Sequence, residues 1–364
     1  MSGTRLAISI GCTLILGSVA VTVAQQPTPT PALDRRGKPL PFGVQPYFKP
    51  DVPLGSGPYK AIMSQEEGLP EQVAYYPADL AKLGAKKLPI VVWGNGACIN
   101  AGNRFRQFLT EIASHGYLVV SGGAMVDKEF EVGPQENPAP RPPGATPPGQ
   151  RGTPPPQDPA NPPGRVTGAV LKHAIDWALE QNGDAASRFH GKLDASHVVV
   201  MGQSCGGGLA VQLAAEDARV TGLGVWNSGA GLGSGTASAS IPLDRIRGPV
   251  LIITGAEPLD IAFASGKSTF ERINHVPVFY GWRDNMLHIG TYGAANGGEL
   301  GHIAWQWLDW TTRGDQTAAK AFAGSSCSLC RDPAWHISKK QIDKKPTASG
   351  AAARSAVLLS RSPA

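Results

Sequence analysis

The sequence predicts an α/β fold: a mostly parallel central sheet of about eight strands flanked by helices. Strand-like and helix-like runs alternate from residue 57 onward. Several of the strand-like runs are apolar at almost every position. That is how a strand reads when helices cover both faces of a parallel sheet, since its side chains alternate between two buried surfaces. The helix-like runs instead space their apolar residues every three or four positions.

The strands are expected at 59-YKAIM-63, 72-QVAYY-76, 89-PIVVW-93, 117-YLVVS-121, 197-HVVVM-201, 222-GLGVW-226, 249-PVLIIT-254 and 276-VPVFY-280. The first two alternate polar and apolar residues, which points to an antiparallel edge. The helices are expected at 103–115, 166–182, 206–217, 265–274 and 299–312. In the second of these, Val170, Leu171, Ala174, Ile175, Ala178 and Leu179 form one apolar stripe, and Asn182-Gly183 closes it.

Outside this domain, taken as 57–340, the composition changes. Residues 1–24 read as a signal peptide: Arg5 precedes the apolar run LAISIGCTLILGSVAVTV, and small residues lead to a cleavage point after Ala24. Residues 25–56 are a Pro/Gly-rich linker and lead-in. Residues 133–164 hold 13 Pro and 5 Gly, with no aromatic or branched aliphatic side chain, so a disordered insertion is expected there. The tail 341–364 is expected to be disordered as well. The expected location is secreted or periplasmic, with no stable membrane insertion once the signal is removed. The net charge of +5 is spread out and lacks a basic, aromatic-laced patch, which argues against nucleic acid as a partner.

The most informative stretch is 198-VVVMGQSCGGGLAVQLAAED-217. A strand that turns abruptly into a helix strains its turn residue and leaves room only for very small neighbours. Gly202-Gln203-Ser204-Cys205-Gly206 therefore reads as a nucleophile elbow carrying Ser204. A serine hydroxyl needs a base, and the base needs an orienting carboxylate. The chain order Ser, acid, His places the acid in 255-GAEPLDIA-262 and the base in 281-GWRDNMLHIGTYG-293. Asp260 is the expected acid with Glu257 in reserve, and His288 is the expected base ahead of His302 and His275. The oxyanion donors expected are the N–H of Cys205 and an N–H of 94-GNGACINAG-102, from Ala97 or its neighbour Cys98.

If Cys12 leaves with the signal, four cysteines remain in an oxidising compartment. Cys98 and Cys205 lie in the two segments that must converge on the oxyanion, so they are expected to pair, leaving Cys327 with Cys330. Four cysteines allow three pairings in all. No clustered ligands and no phosphate-binding glycine loop suggest a metal or cofactor.

At these residues the chain resembles the α/β-hydrolase superfamily, in particular its secreted cutinase, polyester-hydrolase and dienelactone-hydrolase-like branch. The likeness rests on 113-ASHGYLVV-120, 202-GQSCGGG-208, 249-PVLIITGAEPLDIA-262 and the His288 loop, and spans about 57 to 312. It implies an α/β-hydrolase fold and a serine ester hydrolase with Ser204, Asp260 and His288 as triad and an ester as substrate. It also makes Trp226 a candidate substrate-stacking residue, although a Trp at a strand end equally suits a core. Gln203 and Cys205 depart from the His and Met common in relatives. The oxyanion loop lacks the aromatic residue of polyester hydrolases, which weakens a polymer substrate more than it weakens ester hydrolysis. Hydrolysis of another acyl bond, such as an amide, and non-catalytic binding on the same scaffold are the competing expectations.

Overall fold

Leu88–Gly94 is apolar on both faces, and its alternation decides the architecture of the domain. Ile90 and Val92 point into one buried cluster, and Val91 and Trp93 into another. The chain must therefore cover this strand on both sides. The computed structural model describes residues 55–125 and 164–342. The signal peptide expected at 1–24, the lead-in as far as residue 54, the Pro-rich insertion up to residue 163 and the tail from 343 lie outside the described residues.

The strands are β1 (Ala61–Ser64), β2 (Gln72–Pro77), β3 (Leu88–Gly94), β4 (Leu118–Gly122), β5 (Leu193–Gln203), β6 (Gly222–Trp226), β7 (Val250–Gly255), β8 (Val278–Arg283) and β9 (Trp335–Lys340). They form one nine-stranded sheet in the order β1-β2-β4-β3-β5-β6-β7-β8-β9. The pairs from β4 through β8 are parallel, while β1, β2 and β9 run antiparallel to their neighbours. The antiparallel edge expected for the first two strands is present. The strand β9 was not expected. Its sequence WHISKK is polar because it closes the edge of the sheet, and edge strands with lysines discourage further pairing.

Helices α1 (Arg106–Ser114) and α5 (Gly298–Arg313) cover one face of the sheet. Phe108, Ile112, Leu300 and Trp307 pack there against Val91, Val119 and Met201. Helices α2 (Gly168–Gly183) and α3 (Cys205–Glu216) cover the other face, where Leu171, Ile175, Leu209 and Leu213 meet Ile90, Val120 and Val200. Burying each such side chain contributes about 1.5–3 kcal/mol. Helix α4 (Phe263–Arg272) follows β7, and two four-residue helices, α6 (Gln316–Ala319) and α7 (Ser328–Arg331), lead to β9. No helix among the described residues is long and apolar enough to cross a membrane.

Two boundaries shift from the sequence reading. Ser56, placed in the lead-in, donates from N–H and Oγ to the Glu111 carboxylate of α1 at 2.7 and 2.6 Å. Ile342, placed in the tail, is 3% exposed and belongs to the core.

After β3 the chain passes to β4 on one side, then returns to β5 on the other side of β3. This reversal of strand order opens a crevice at the carboxyl ends of β3 and β5, where α/β sheets bind ligands. Ser204 and the 94–102 loop both lie there.

Candidate active site

Ser204 occupies the one-residue turn between β5 and α3 with φ 53° and ψ −123°. A non-glycine residue there is strained by about 1–3 kcal/mol, so the surroundings must enforce it. Its N–H donates to the Trp226 carbonyl at 3.1 Å, and its carbonyl accepts from Ser228 Oγ at 2.6 Å. The glycines on either side are required by close approach. A Cβ on Gly202 would strike the Gly206 carbonyl, and one on Gly206 would strike Gly94 at the end of β3. Three glycines thus let β3, β5 and α3 meet at Ser204.

The structure brings Ser204, His288 and Asp260 together. Ser204 Oγ lies 2.8 Å from His288 Nε2, and His288 Nδ1 lies 2.7 Å from Asp260 Oδ1. The His288 side chain is 13% exposed and that of Asp260 is fully buried. Asp260 receives three further N–H groups: Ala262 at 2.9 Å on Oδ1, and Gly255 and Asn227 Nδ2, each at 2.7 Å, on Oδ2. Four donors around one carboxylate offset the cost of burying its charge. They also leave it able only to accept. His288 must then hold its proton on Nδ1, and Nε2 presents a lone pair to Ser204.

Asn227 is fixed from its other end. It follows β6 with φ 41°, and its Oδ1 accepts from the Tyr292 hydroxyl at 2.5 Å. Burial, reinforced by the nearby Asp260 charge, pushes the Tyr292 phenol well above its ordinary value. Tyr292 therefore stays protonated and donates, which turns the Asn227 amide so that its NH2 faces Asp260.

The second half of the site is the short 3₁₀ turn Gly96–Cys98, in which Ala97 and Cys98 have φ 54° and 51°. Asn95 anchors it, with Nδ2 donating to the carbonyls of Ala101 and Gly122 at 2.9 and 2.6 Å. The Cys98 N–H is committed to the Asn95 carbonyl at 3.1 Å, and so is the Gly206 N–H at 3.0 Å. Among the described residues, neither the Ala97 nor the Cys205 N–H has a backbone acceptor. Of the two loop donors expected, Ala97 is the one left open.

Cys98 and Cys205 form a disulfide with their Cα atoms 5.3 Å apart, tying this turn to α3. Cys327 and Cys330 form a second, 4.9 Å apart. Gln203, at the end of β5, hydrogen-bonds the His288 loop and packs against Gly96. Its Nε2 donates to the His288 carbonyl at 2.9 Å, and its Oε1 sits where a Cβ on Gly96 would be.

The alternatives lie elsewhere. Glu257 is exposed at the surface, while the buried Asp260 meets His288. His275 Nε2 bonds the Ile246 carbonyl at 2.8 Å, and His302 packs edge-on against Trp305. Trp226 is 0% exposed, with its ring 5.2 Å from that of Phe108, and so packs as a core residue. Among the described residues, no group of three or more His, Cys, Asp or Glu side chains is placed to hold a metal ion.

Sequence reading missed Asn227, Tyr292 and the role of Gln203. One signal was present: Asn227 follows a buried strand at the same sheet end as Ser204, and asparagine tolerates positive φ. Comparison with protein-family models and with curated proteins found no match for this chain.

Proposed function

We propose that this protein is a secreted serine carboxylic ester hydrolase with an α/β-hydrolase fold. The observation that carries the proposal is the continuous hydrogen-bonded path from Ser204 Oγ through His288 to the buried Asp260. In this reading His288 Nε2 takes the Ser204 proton as Oγ attacks the ester carbonyl. The Cys205 and Ala97 amides stabilise the oxyanion of the tetrahedral intermediate. Asp260 steadies the imidazolium, which then gives its proton to the departing alkoxide. Water, activated by the same histidine, attacks the acyl-enzyme and frees Ser204.

Two disulfides support an oxidising, extracytoplasmic setting, as does the expected signal peptide at 1–24. The direct test is hydrolysis of a chain-length series of p-nitrophenyl esters, with Ser204→Ala as the blank and the matched anilides alongside. Ester turnover that disappears in the variant is expected, with anilide turnover much slower. Equal signal from both proteins would refute the proposal.

A further inference from the structure

The chain that carries His288 leaves β8 at Arg283 and reaches Thr291, and both points are tied to the first turn of α5. Arg283 Nε lies 2.9 Å from Glu299 Oε2. Thr291 Oγ1 accepts from the Leu300 N–H at 3.1 Å and donates to the Gly297 carbonyl at 2.8 Å. Glu299 and Leu300 are consecutive, so one turn of α5 holds the chain on either side of His288.

Glu299 has a second partner in β9. The Trp335 indole N–H donates to its Oε1 at 2.7 Å. Arg283 and Trp335 are register neighbours, so the carboxylate bridges the ends of two paired strands. The backbone repeats the tie one residue on, where the Asp284 N–H donates to the Ala334 carbonyl at 3.0 Å. The Arg283 and Glu299 side chains are 18% and 27% exposed, so salt screens this ion pair less than one at the open surface.

On its other side Arg283 pairs with Gly255 of β7, and its carbonyl accepts from the Ala256 N–H at 3.0 Å. Gly255 is the residue whose N–H binds Asp260, and a Cβ on it would strike the Met286 carbonyl of the His288 loop. Arg283 thus sits between the strand that leads to the acid and the strand that closes the sheet, on the approach to the base.

We infer that Glu299 is a positioning residue for His288: through Arg283 and Trp335 it fixes where the base stands relative to Ser204. The inference rests on the esterase reading above. It gives β9 a role beyond closing the sheet edge.

The test is a double-mutant cycle between Glu299 and His288, read as the rate at which Ser204 reacts with a fluorophosphonate. Glu299→Ala is expected to slow labelling about tenfold in the wild-type background, because a displaced base loses its line to Oγ. In the His288→Ala background the same substitution is expected to change the rate by less than about twofold. Hydrolysis of p-nitrophenyl butyrate should show the same loss in kcat, with KM within about twofold of wild type. Trp335→Phe removes only the indole bond and Glu299→Gln only the charge, and they carry the test if Glu299→Ala does not fold. Each should slow labelling by about threefold, again only where His288 is present. An equal fall in both backgrounds would mean that Glu299 supports the fold at large. No fall in the wild-type background would mean that the brace leaves His288 where it is. Either result overturns the inference and leaves the esterase reading standing. A wild type that neither hydrolyses the ester nor takes the label overturns both.

Discussion

Replacing Asn227 with glycine tests whether the contacts behind Asp260 matter to the chemistry. Glycine is the substitution of choice because the backbone there has φ 41°, which glycine adopts without strain, so the loss is confined to the side chain. Two hydrogen bonds disappear: the one from Nδ2 to Asp260 at 2.7 Å and the one from the Tyr292 hydroxyl to Oδ1 at 2.5 Å. The first is to a charged group and is worth about 1.5–3 kcal/mol. The second leaves a buried hydroxyl unpaired at about 1–3 kcal/mol, so the fold should lose roughly 3–5 kcal/mol in urea unfolding. The effect on catalysis has a separate signature. With three donors in place of four, Asp260 loses a contact that fixes its orientation toward His288, so kcat for ester hydrolysis should fall by about tenfold or more with KM little changed. Tyr292→Phe should lower kcat in the same way by less, since Asn227 keeps its bond but loses its clamp. A loss of stability with kcat unchanged would refute the reasoning and reduce Asn227 to a packing residue.

Three further outcomes follow from other parts of the structure. Replacing Cys98 and Cys205 together with serine opens a crosslink spanning 107 residues, for which chain entropy predicts a loss of about 4–5 kcal/mol; urea unfolding of wild type and variant measures it. Gln203→Ala frees both the His288 carbonyl and the Gly96 turn, so kcat should fall by about tenfold or more with KM little changed, as steady-state ester kinetics would show. Burial pushes the Glu111 carboxyl up, but hydrogen bonds from His115 and Ser56 outweigh it and hold the group below its ordinary value. A carboxyl depressed in the folded state stabilises above its unfolded value of about 4.3, and that contribution is lost as the pH falls through the folded value. Thermal unfolding between about pH 5 and pH 2 should therefore flatten in Glu111→Gln.

Much of the frame was legible in the sequence for a physical reason. Strands β3 to β8 carry the apolar runs that burial on two faces demands. A serine caged by Gly202 and Gly206 at a strand end marks a turn too tight for any larger neighbour. The pairing of Cys98 with Cys205 followed from placing both beside one oxyanion. What stayed hidden depends on burial and on contacts between distant residues. Glu257 and Asp260 occupy the same loop, and only burial separates them. Asn227 meets partners 33 and 65 positions away, which no local pattern specifies. Trp226 at a strand end suits a core or a cleft equally until Phe108 is seen against it. Strand β9 has no apolar run because only one of its edges is paired and most of its side chains are half-exposed.

The central claim is that Ser204 is a nucleophile activated by His288 and Asp260. Reaction of the folded protein with a fluorophosphonate, followed by peptide mass spectrometry, tests it most directly. One adduct is expected, on Ser204, absent from Ser204→Ala and strongly slowed in His288→Ala. No adduct on the wild type, or one formed equally fast without His288, would contradict the claim.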